Sequence, residues 1–119
     1  MRMDGVRLAI GLGGVAAALA LGCSDSTGTP RLSDAAKRGK LVYDGVCIAC
    51  HNANPALDGS IGPANAHAPR ELVEARVLRA EYPPGYHPKR ESHAMPPMPQ
   101  LADKIDDLTA YLAECCPAK

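Results

Sequence analysis

The segment Cys47-Ile48-Ala49-Cys50-His51 constrains this 119-residue chain more than any other feature, because the pattern C-x-x-C-H occurs once in it and has a specific chemistry. Two thiols three residues apart can each form a thioether to one edge of a haem. The adjacent imidazole then lies beneath the iron as its proximal ligand. The pattern therefore predicts that Cys47 and Cys50 attach one haem c covalently and that His51 binds its iron.

Two other kinds of site use closely spaced cysteines. A thioredoxin-like redox pair needs a βαβ context, and no segment of the chain alternates convincingly as a strand. A zinc site needs further ligands at a matching spacing; there is no second C-x-x-C, although three histidines could complete such a site: His67, His87 and His93. Because these histidines lie in loop-rich sequence without zinc-finger spacing, haem is the favoured interpretation.

The N-terminus is typical of an exported protein. Residues 1–22 are expected to be a signal peptide, because Arg2 and Arg7 flank a short start and residues 8–21 are an unbroken run of apolar residues and glycine. This run is too short to span a bilayer comfortably. We therefore expect export from the cytoplasm.

The signal sequence ends in Leu19-Ala20-Leu21-Gly22-Cys23, which resembles a bacterial lipobox. The resemblance implies that Cys23 is lipidated and becomes the new N-terminus; an ordinary signal peptide cut nearby is the alternative. We expect a periplasmic protein anchored to a membrane through this lipid. Ser24, rather than Asp, after the cysteine implies the outer membrane by resemblance to proteobacterial lipoproteins, if the host has one.

The exported part of the chain is small and nearly neutral. Residues 23–32 are rich in Ser, Thr, Gly and Pro and predict a flexible tether, residues 33–116 one domain and residues 117–119 a short tail. Without residues 1–22, eleven Lys and Arg stand against twelve Asp and Glu, so the chain lacks the charge that nucleic-acid binding requires. So small a domain rarely builds a sufficient core unaided, and haem would supply the apolar centre.

The first and last helices are predicted to pack on each other. The first has Ser33 as its N-cap and runs to about Val46, with an apolar face formed by Gly39, Val42, Tyr43 and Val46. Gly39 is costly inside a helix unless a partner packs close to it. The last helix offers that partner through an apolar face formed by Leu101, Ile105, Leu108 and Leu112. Asp103 is the candidate cap of this helix, and Asp106 and Asp107 also lie near its positive end.

A third helix is predicted between these two, over residues 71–80. Pro69 would occupy its first position, Val73, Val77 and Ala80 would point inward, and Pro83-Pro84 would end it. Two long loops, residues 51–68 and 82–99, have no apolar period. We expect each loop to cover one face of a flat cofactor.

Five motifs occur in a fixed order: Gly39-x-x-x-Tyr43, Cys47-Ile48-Ala49-Cys50-His51, Ile61-Gly62-Pro63, Met95-Pro96-Pro97-Met98 and Leu108-x-x-Tyr111-Leu112. From Ser33 to Glu114, this set resembles class I (monohaem) cytochrome c. The resemblance implies an all-α cytochrome c fold, with three main helices and long loops wrapped around one covalently bound haem. It also implies that the Pro63 carbonyl accepts a hydrogen bond from the His51 ring.

The sixth ligand of the iron is expected to be a methionine. Met95 and Met98 both precede a proline, but the resemblance aligns Met95 with the family's ligand and Met98 with an apolar core position. Ligation by a second histidine, with His93 the strongest rival, is the alternative. Tyr82 and Tyr86 could bond a haem propionate or simply cover apolar surface.

Cys115 and Cys116 have no counterpart in the resemblance. Adjacent cysteines rarely bond each other without strain. In an oxidising compartment, pairing between chains, binding of a metal and absence of any role all stay open.

The function implied is one-electron transfer by a six-coordinate haem, between a redox protein that donates and one that accepts the electron. No acid–base pair with recognisable spacing occurs near the sixth site, so we infer neither an enzyme nor a small-molecule substrate. The alternatives are a haem subunit of a larger oxidoreductase, a peroxidase-like enzyme, and a gas sensor with a labile sixth ligand.

Overall fold

The computed structural model describes residues 31–117, which contain three α-helices: α1 (Asp34–Val46), α2 (Arg70–Arg79) and α3 (Ile105–Glu114). A 3₁₀ turn continues α1 over Cys47–Ala49, and a second one leads into α3 over Pro99–Lys104. There is no strand between residues 31 and 117. The all-α prediction is confirmed, whereas the predicted signal peptide, Cys23 and most of the predicted tether lie outside the described residues.

The start of α1 is capped as predicted. The Ser33 hydroxyl accepts a hydrogen bond from the Ala36 N–H at 3.1 Å. The same residue also reaches α3, because its N–H and hydroxyl donate to the Glu114 carboxylate at 2.7 and 2.8 Å. These bonds tie the first turn of α1 to the last turn of α3.

The predicted contact between α1 and α3 is confirmed, and Gly39 lies at its centre. A Cβ on Gly39 would fall 1.9 Å from the carbonyl oxygen of Asp107. Next to this contact, Arg38 donates to both carboxylate oxygens of Asp107 at 2.7 and 2.9 Å, and the rings of Tyr43 and Tyr111 lie 5.3 Å apart. The missing side chain therefore allows the two helices to touch through their backbones.

The core fills the space between the three helices. Its buried members come from all of them: Ala36, Tyr43, Val73, Val77, Ile105, Leu108, Tyr111 and Leu112. Val46, at the end of α1, is 40 % exposed and lines a cavity instead. The apolar face of α1 thus packs in the core in the first turns of the helix and lines the cavity in its last turn.

The boundaries of α2 differ slightly from the prediction. Pro69 occupies the N-cap position, with extended backbone angles, and Arg70 is the first helical residue. Val73 and Val77 are buried as predicted, but Ala80 does not point inward from the helix: it ends α2 in the left-handed conformation, with φ 56°. The helix therefore stops before Pro83-Pro84.

The prediction that Asp103 caps the last helix is wrong. The sequence Pro99–Lys104 forms a 3₁₀ turn, so α3 begins later and Lys104 occupies its N-cap position. Asp103 lies inside that turn and accepts a hydrogen bond from Lys104 at 2.7 Å. Asp106 and Asp107 lie in the first turn of α3 as predicted, where negative charge suits the helix dipole.

Cys115 and Cys116 are joined by a disulfide just after α3 ends. Cys116 is buried, and its Sγ lies 3.7 Å from Oδ1 of Asn54, in the loop that follows the C-x-x-C-H segment. The sequence favoured arrangements in which these two cysteines do not bond each other, and the structure differs on this point.

None of the helices between residues 31 and 117 combines the length and the apolar character needed to cross a bilayer.

Candidate haem-binding site

A cavity of about 330 Å³ lies between the helices and the two long loops. Its wall is mostly apolar and includes side chains from each helix, among them Tyr43, Val73 and Leu108. Cofactor sites are typically apolar clefts of this order of size with a few polar groups at defined places. The polar and sulfur-containing groups in the wall therefore indicate what the cavity can hold.

Cys47 and Cys50 both line the cavity and are both free thiols. The 3₁₀ turn places them there: the N–H groups of Cys50 and His51 donate to the Cys47 carbonyl at 3.2 and 2.9 Å. Burial raises the pKa of the Cys47 thiol to about 11. Because a thioredoxin-like pair depends on a thiol that ionises readily, this environment disfavours that alternative.

His51 is half-buried in the cavity wall, and its ring is held by two adjacent residues of the loop that follows it, Gly62 and Pro63. Nδ1 of His51 lies 2.9 Å from the Pro63 carbonyl oxygen. Since a carbonyl only accepts, Nδ1 carries the proton and Nε2 keeps its lone pair. A ligating histidine is oriented by this kind of hydrogen bond.

Gly62 forms a slot for the same ring. A Cβ at position 62 would lie 2.4 Å from Cε1 and 2.6 Å from Nδ1 of His51, so any larger residue would displace the imidazole. The N–H groups of Ile61 and Gly62 donate to the Cys50 carbonyl at 3.2 and 3.0 Å, which fixes the slot beside the motif. The sequence motif Ile61-Gly62-Pro63 indicated this contact only through Pro63.

Met95 and Met98 both line the cavity, and both are half-buried against the core. The Met98 N–H donates to the Val77 carbonyl at 2.7 Å, so the backbone at Met98 is tied to α2. The loop of residues 82–99 thus brings two thioether sulfurs to the cavity that contains His51.

His51 is the one histidine in the cavity wall among the residues that the structure describes. The three other histidines are exposed: His67, His87 and His93. Nor do residues 31–117 contain a group of three or more His, Cys, Asp or Glu side chains placed to hold a metal ion. Neither ligation of the iron by a second histidine nor a zinc site receives support from this arrangement.

The cavity wall also contains an aromatic and cationic part, in which the two loop tyrosines indicated by the sequence lie beside an arginine that the sequence did not indicate. The rings of Tyr82 and Tyr86 stack at 5.4 Å with 8° between their planes, and the Arg76 guanidinium lies 4.2 Å from the centre of the Tyr82 ring. The sequence offered two roles for Tyr82 and Tyr86, a bond to a haem propionate or cover of apolar surface, and it gave no sign of the arginine. The arginine comes from α2, and its position depends on how that helix packs.

Two further cations join the long loops beside the cavity. Lys89 donates to the Ala64 carbonyl at 2.8 Å, and Arg90 donates to the Ile61 carbonyl at 3.0 Å. Arg90 also pairs with Asp58 at 3.3 Å. These contacts hold the loop of the methionines against the loop that follows His51, and both cations line the cavity.

The residues present fit a haem c. Two free thiols, an imidazole with one nitrogen free and two thioethers all border one apolar cavity, and the slot at Gly62 is open only because it has no side chain. Cysteine thioethers with histidine and methionine ligands are a set found in c-type haem proteins.

Comparisons with known proteins agree with this donor set. No curated protein and no solved structure matches the chain. The sequence model of cytochrome c, however, matches residues 36–115, which include all three helices almost completely and every group described in the cavity wall. The chain therefore belongs to the cytochrome c family, whose members bind haem covalently and transfer electrons.

Proposed function

We propose that this protein is a one-electron carrier that acts outside the cytoplasmic membrane. In this proposal Cys47 and Cys50 attach a single haem c, and His51 and Met95 are the two ligands of its iron. When bound, haem c supplies one-electron exchange between ferrous and ferric iron. The chain's own residues attach it, orient it and keep water away from it.

The observation that carries the proposal is the hydrogen bond between His51 and Pro63. With Nδ1 2.9 Å from the carbonyl oxygen, Nε2 is the nitrogen available to a metal. Gly62 closes on the same ring and limits its rotation. A ligand held in this way keeps its place in both oxidation states, so little has to reorganise when an electron arrives or leaves.

Met95 is the proposed sixth ligand, and Met98 a packing residue. The resemblance aligns Met95 with the family's ligand. The Met98 backbone is bonded to Val77 in the core, which suits a side chain that fills space. A methionine bound in both oxidation states would leave no site for a small ligand, as a carrier requires.

The proposed location is the periplasm, with a lipid on Cys23 as the membrane anchor. It rests on the lipobox-like sequence Leu19–Cys23. The exported protein should partition into detergent, and Cys23→Ser should move it to the aqueous phase with its haem in place, because acyl chains provide the anchor. Aqueous partitioning of the unaltered protein would leave only the ordinary signal peptide.

The proposed partners are a redox protein that donates the electron and another that accepts it. Beside the motif, Ile48 and Ile61 are 44 % and 46 % exposed. Exposed apolar side chains next to a redox site favour transient contact with another protein. Arg90 and Asp58 beside this surface pair with each other, so the proposed docking rests on apolar contact at Ile48 and Ile61.

The experiment that tests the function is a reduced-minus-oxidised spectrum with and without carbon monoxide, combined with a potentiometric titration. A carrier with a saturated iron should titrate as one electron and should not bind carbon monoxide appreciably at neutral pH. Ready binding would contradict the proposal and would favour a gas sensor, a peroxidase-like enzyme or the haem subunit of a larger oxidoreductase.

A further inference from the structure

Arg76 is a half-buried arginine in the cavity wall, and its guanidinium is fixed from two directions. Its Nη1 donates to the Ala80 carbonyl at 2.5 Å, at the point where α2 ends. Its Cζ lies 4.2 Å from the centre of the Tyr82 ring, a favourable position for a cation over an aromatic face. Tyr82 is in turn stacked on Tyr86.

The charge of Arg76 is not neutralised by a neighbour in the described part of the chain. The other arginines of α2 pair with carboxylates: Arg70 with Asp106 at 2.7 Å, and Arg79 with Glu81 at 3.1 Å. Arg76 has no carboxylate within 4.0 Å among residues 31–117, and its bonds go to a carbonyl and a ring, both of which are neutral.

Two other cations in the cavity wall differ from Arg76 in this respect. Arg90 pairs with Asp58, which offsets its charge. Lys89 is exposed, so water screens it. Arg76 is therefore the cavity cation whose charge is both partly buried and uncompensated by the described residues.

We propose that Arg76 sets the reduction potential of the bound haem by fixing a positive charge in the cavity wall. The inference rests on the proposed function, since it requires a haem in this cavity. Oxidation adds one positive charge at the iron. A fixed cation in a wall of low polarity repels that charge more strongly than the same cation would in water, and so favours the ferrous form. Tyr82 contributes by holding the planar guanidinium in place.

The test compares Arg76→Gln with Arg79→Gln in the haem-loaded protein. Both variants remove one positive charge from α2, three residues apart, but Arg79 does not line the cavity and pairs with Glu81 instead. At the wild-type midpoint potential, Arg76→Gln should lower the ratio of ferrous to ferric protein by roughly threefold or more. Arg79→Gln should leave it almost unchanged. Equal effects of the two variants would overturn the proposal.

Arg76→Lys and Arg76→Met separate charge from packing. Lysine keeps the charge and should retain most of the wild-type potential, whereas methionine keeps an apolar stem of similar length and should lower the potential as glutamine does. Arg76→Met also serves if the glutamine variant does not fold. A potential that falls equally in the lysine and methionine variants would mean that packing, not charge, is responsible, and would overturn the proposal.

The carbon monoxide spectrum of each variant distinguishes this proposal from the proposed function. Ready binding to the wild type would mean that the function itself is wrong. If Arg76→Gln lowers the potential and still excludes carbon monoxide, the charge acts as proposed. If Arg76→Gln binds carbon monoxide while the wild type does not, Arg76 supports the ligand loop, and its assignment as a charge that sets the potential fails.

Discussion

The carbonyl oxygen of Asp107 in α3 occupies the space where a side chain on Gly39 in α1 would begin, since a Cβ there would lie 1.9 Å from it. This contact sets how closely the two helices cross. Tyr43 follows one turn after Gly39, and Leu108 follows Asp107 directly; both belong to the cavity wall. The helix crossing thus determines the shape of one side of the haem site.

Gly39→Ala should therefore destabilise the protein by about 3 kcal/mol, at the upper end of the cost of overpacking, because the clash is with backbone that cannot rotate away. Gly45→Ala is the matched control in the same helix, with nothing within 4 Å of the added Cβ. It should be neutral or should stabilise by roughly 0.5–1 kcal/mol through helix propensity. Denaturant unfolding measures both, and equal effects would contradict the crossing described here.

Gly62→Ala should disturb the proximal ligand without preventing attachment of the haem. The added Cβ would lie within 2.7 Å of three atoms of the His51 ring, while both cysteines stay intact. We expect a c-type haemochrome spectrum of normal intensity, together with an altered ferric spectrum and a lowered potential. Ser60→Ala, at an exposed position in the same loop, is the control. An unchanged ferric spectrum in Gly62→Ala would mean that the slot does not orient His51.

Met95→Ala and Met98→Leu distinguish the two methionines. Loss of Met95 should abolish the weak sulfur-to-iron charge-transfer band of the oxidised protein, lower the potential and open the iron to carbon monoxide, because the thioether favours ferrous iron. Met98→Leu nearly conserves volume and should cost less than about 1.5 kcal/mol of stability, with the band retained. The reverse pattern of band loss would assign the ligand to Met98.

The fold was predictable wherever one local signal sufficed. Ser33 has a side chain suited to an N-cap and caps α1 in the structure. Gly39 predicted a closely packed partner helix, because glycine is costly inside a helix without one. Asp103 had an equally good side chain for capping. The chain around it forms a 3₁₀ turn in which Leu101 packs against the core, and such a contact with residues distant in sequence is not contained in the local pattern.

In the candidate site, too, the residues of a local motif were predictable, whereas those that act through contacts made by the fold were not. Cys47, Cys50 and His51 form a contiguous motif whose chemistry can be read without a fold. Gly62 and Arg76 matter through contacts with residues that are distant in sequence or lie on another element, namely the His51 ring and Tyr82. A glycine beside a proline is typical of any turn, so Gly62 was recognised only as part of the motif Ile61-Gly62-Pro63 and not for its contact with His51. An arginine in a helix is usually solvated, so Arg76 carried no signal of its own.

Tyr43 is expected to make the folded protein less stable as the pH rises above 10. Burial raises the pKa of Tyr43 to about 12, while in the unfolded chain this hydroxyl ionises near pH 10. The folded state therefore favours the neutral form, and the resulting stabilisation is complete below pH 10 and is lost between pH 10 and about pH 12.

Tyr43→Phe tests this dependence. The variant loses the hydrogen bond that the hydroxyl donates to the Asn52 carbonyl at 2.8 Å. It should be less stable at pH 8 by about 0.5–1.5 kcal/mol. The difference from wild type should shrink as the pH rises through 10 to 11.5, measured by denaturant unfolding. Tyr86→Phe, in the outer loop, is the control, and a difference for Tyr43→Phe that does not change with pH would contradict this account.

The covalent attachment of one haem by Cys47 and Cys50 is tested most directly by the mass of the intact, denatured protein purified from cells that attach haem to exported proteins. The account predicts a mass that exceeds that of the processed and modified polypeptide by one haem, with Cys47→Ser/Cys50→Ser lacking that increment. A mass that lacks the haem increment, together with release of free haem by acidified organic solvent, would contradict covalent attachment.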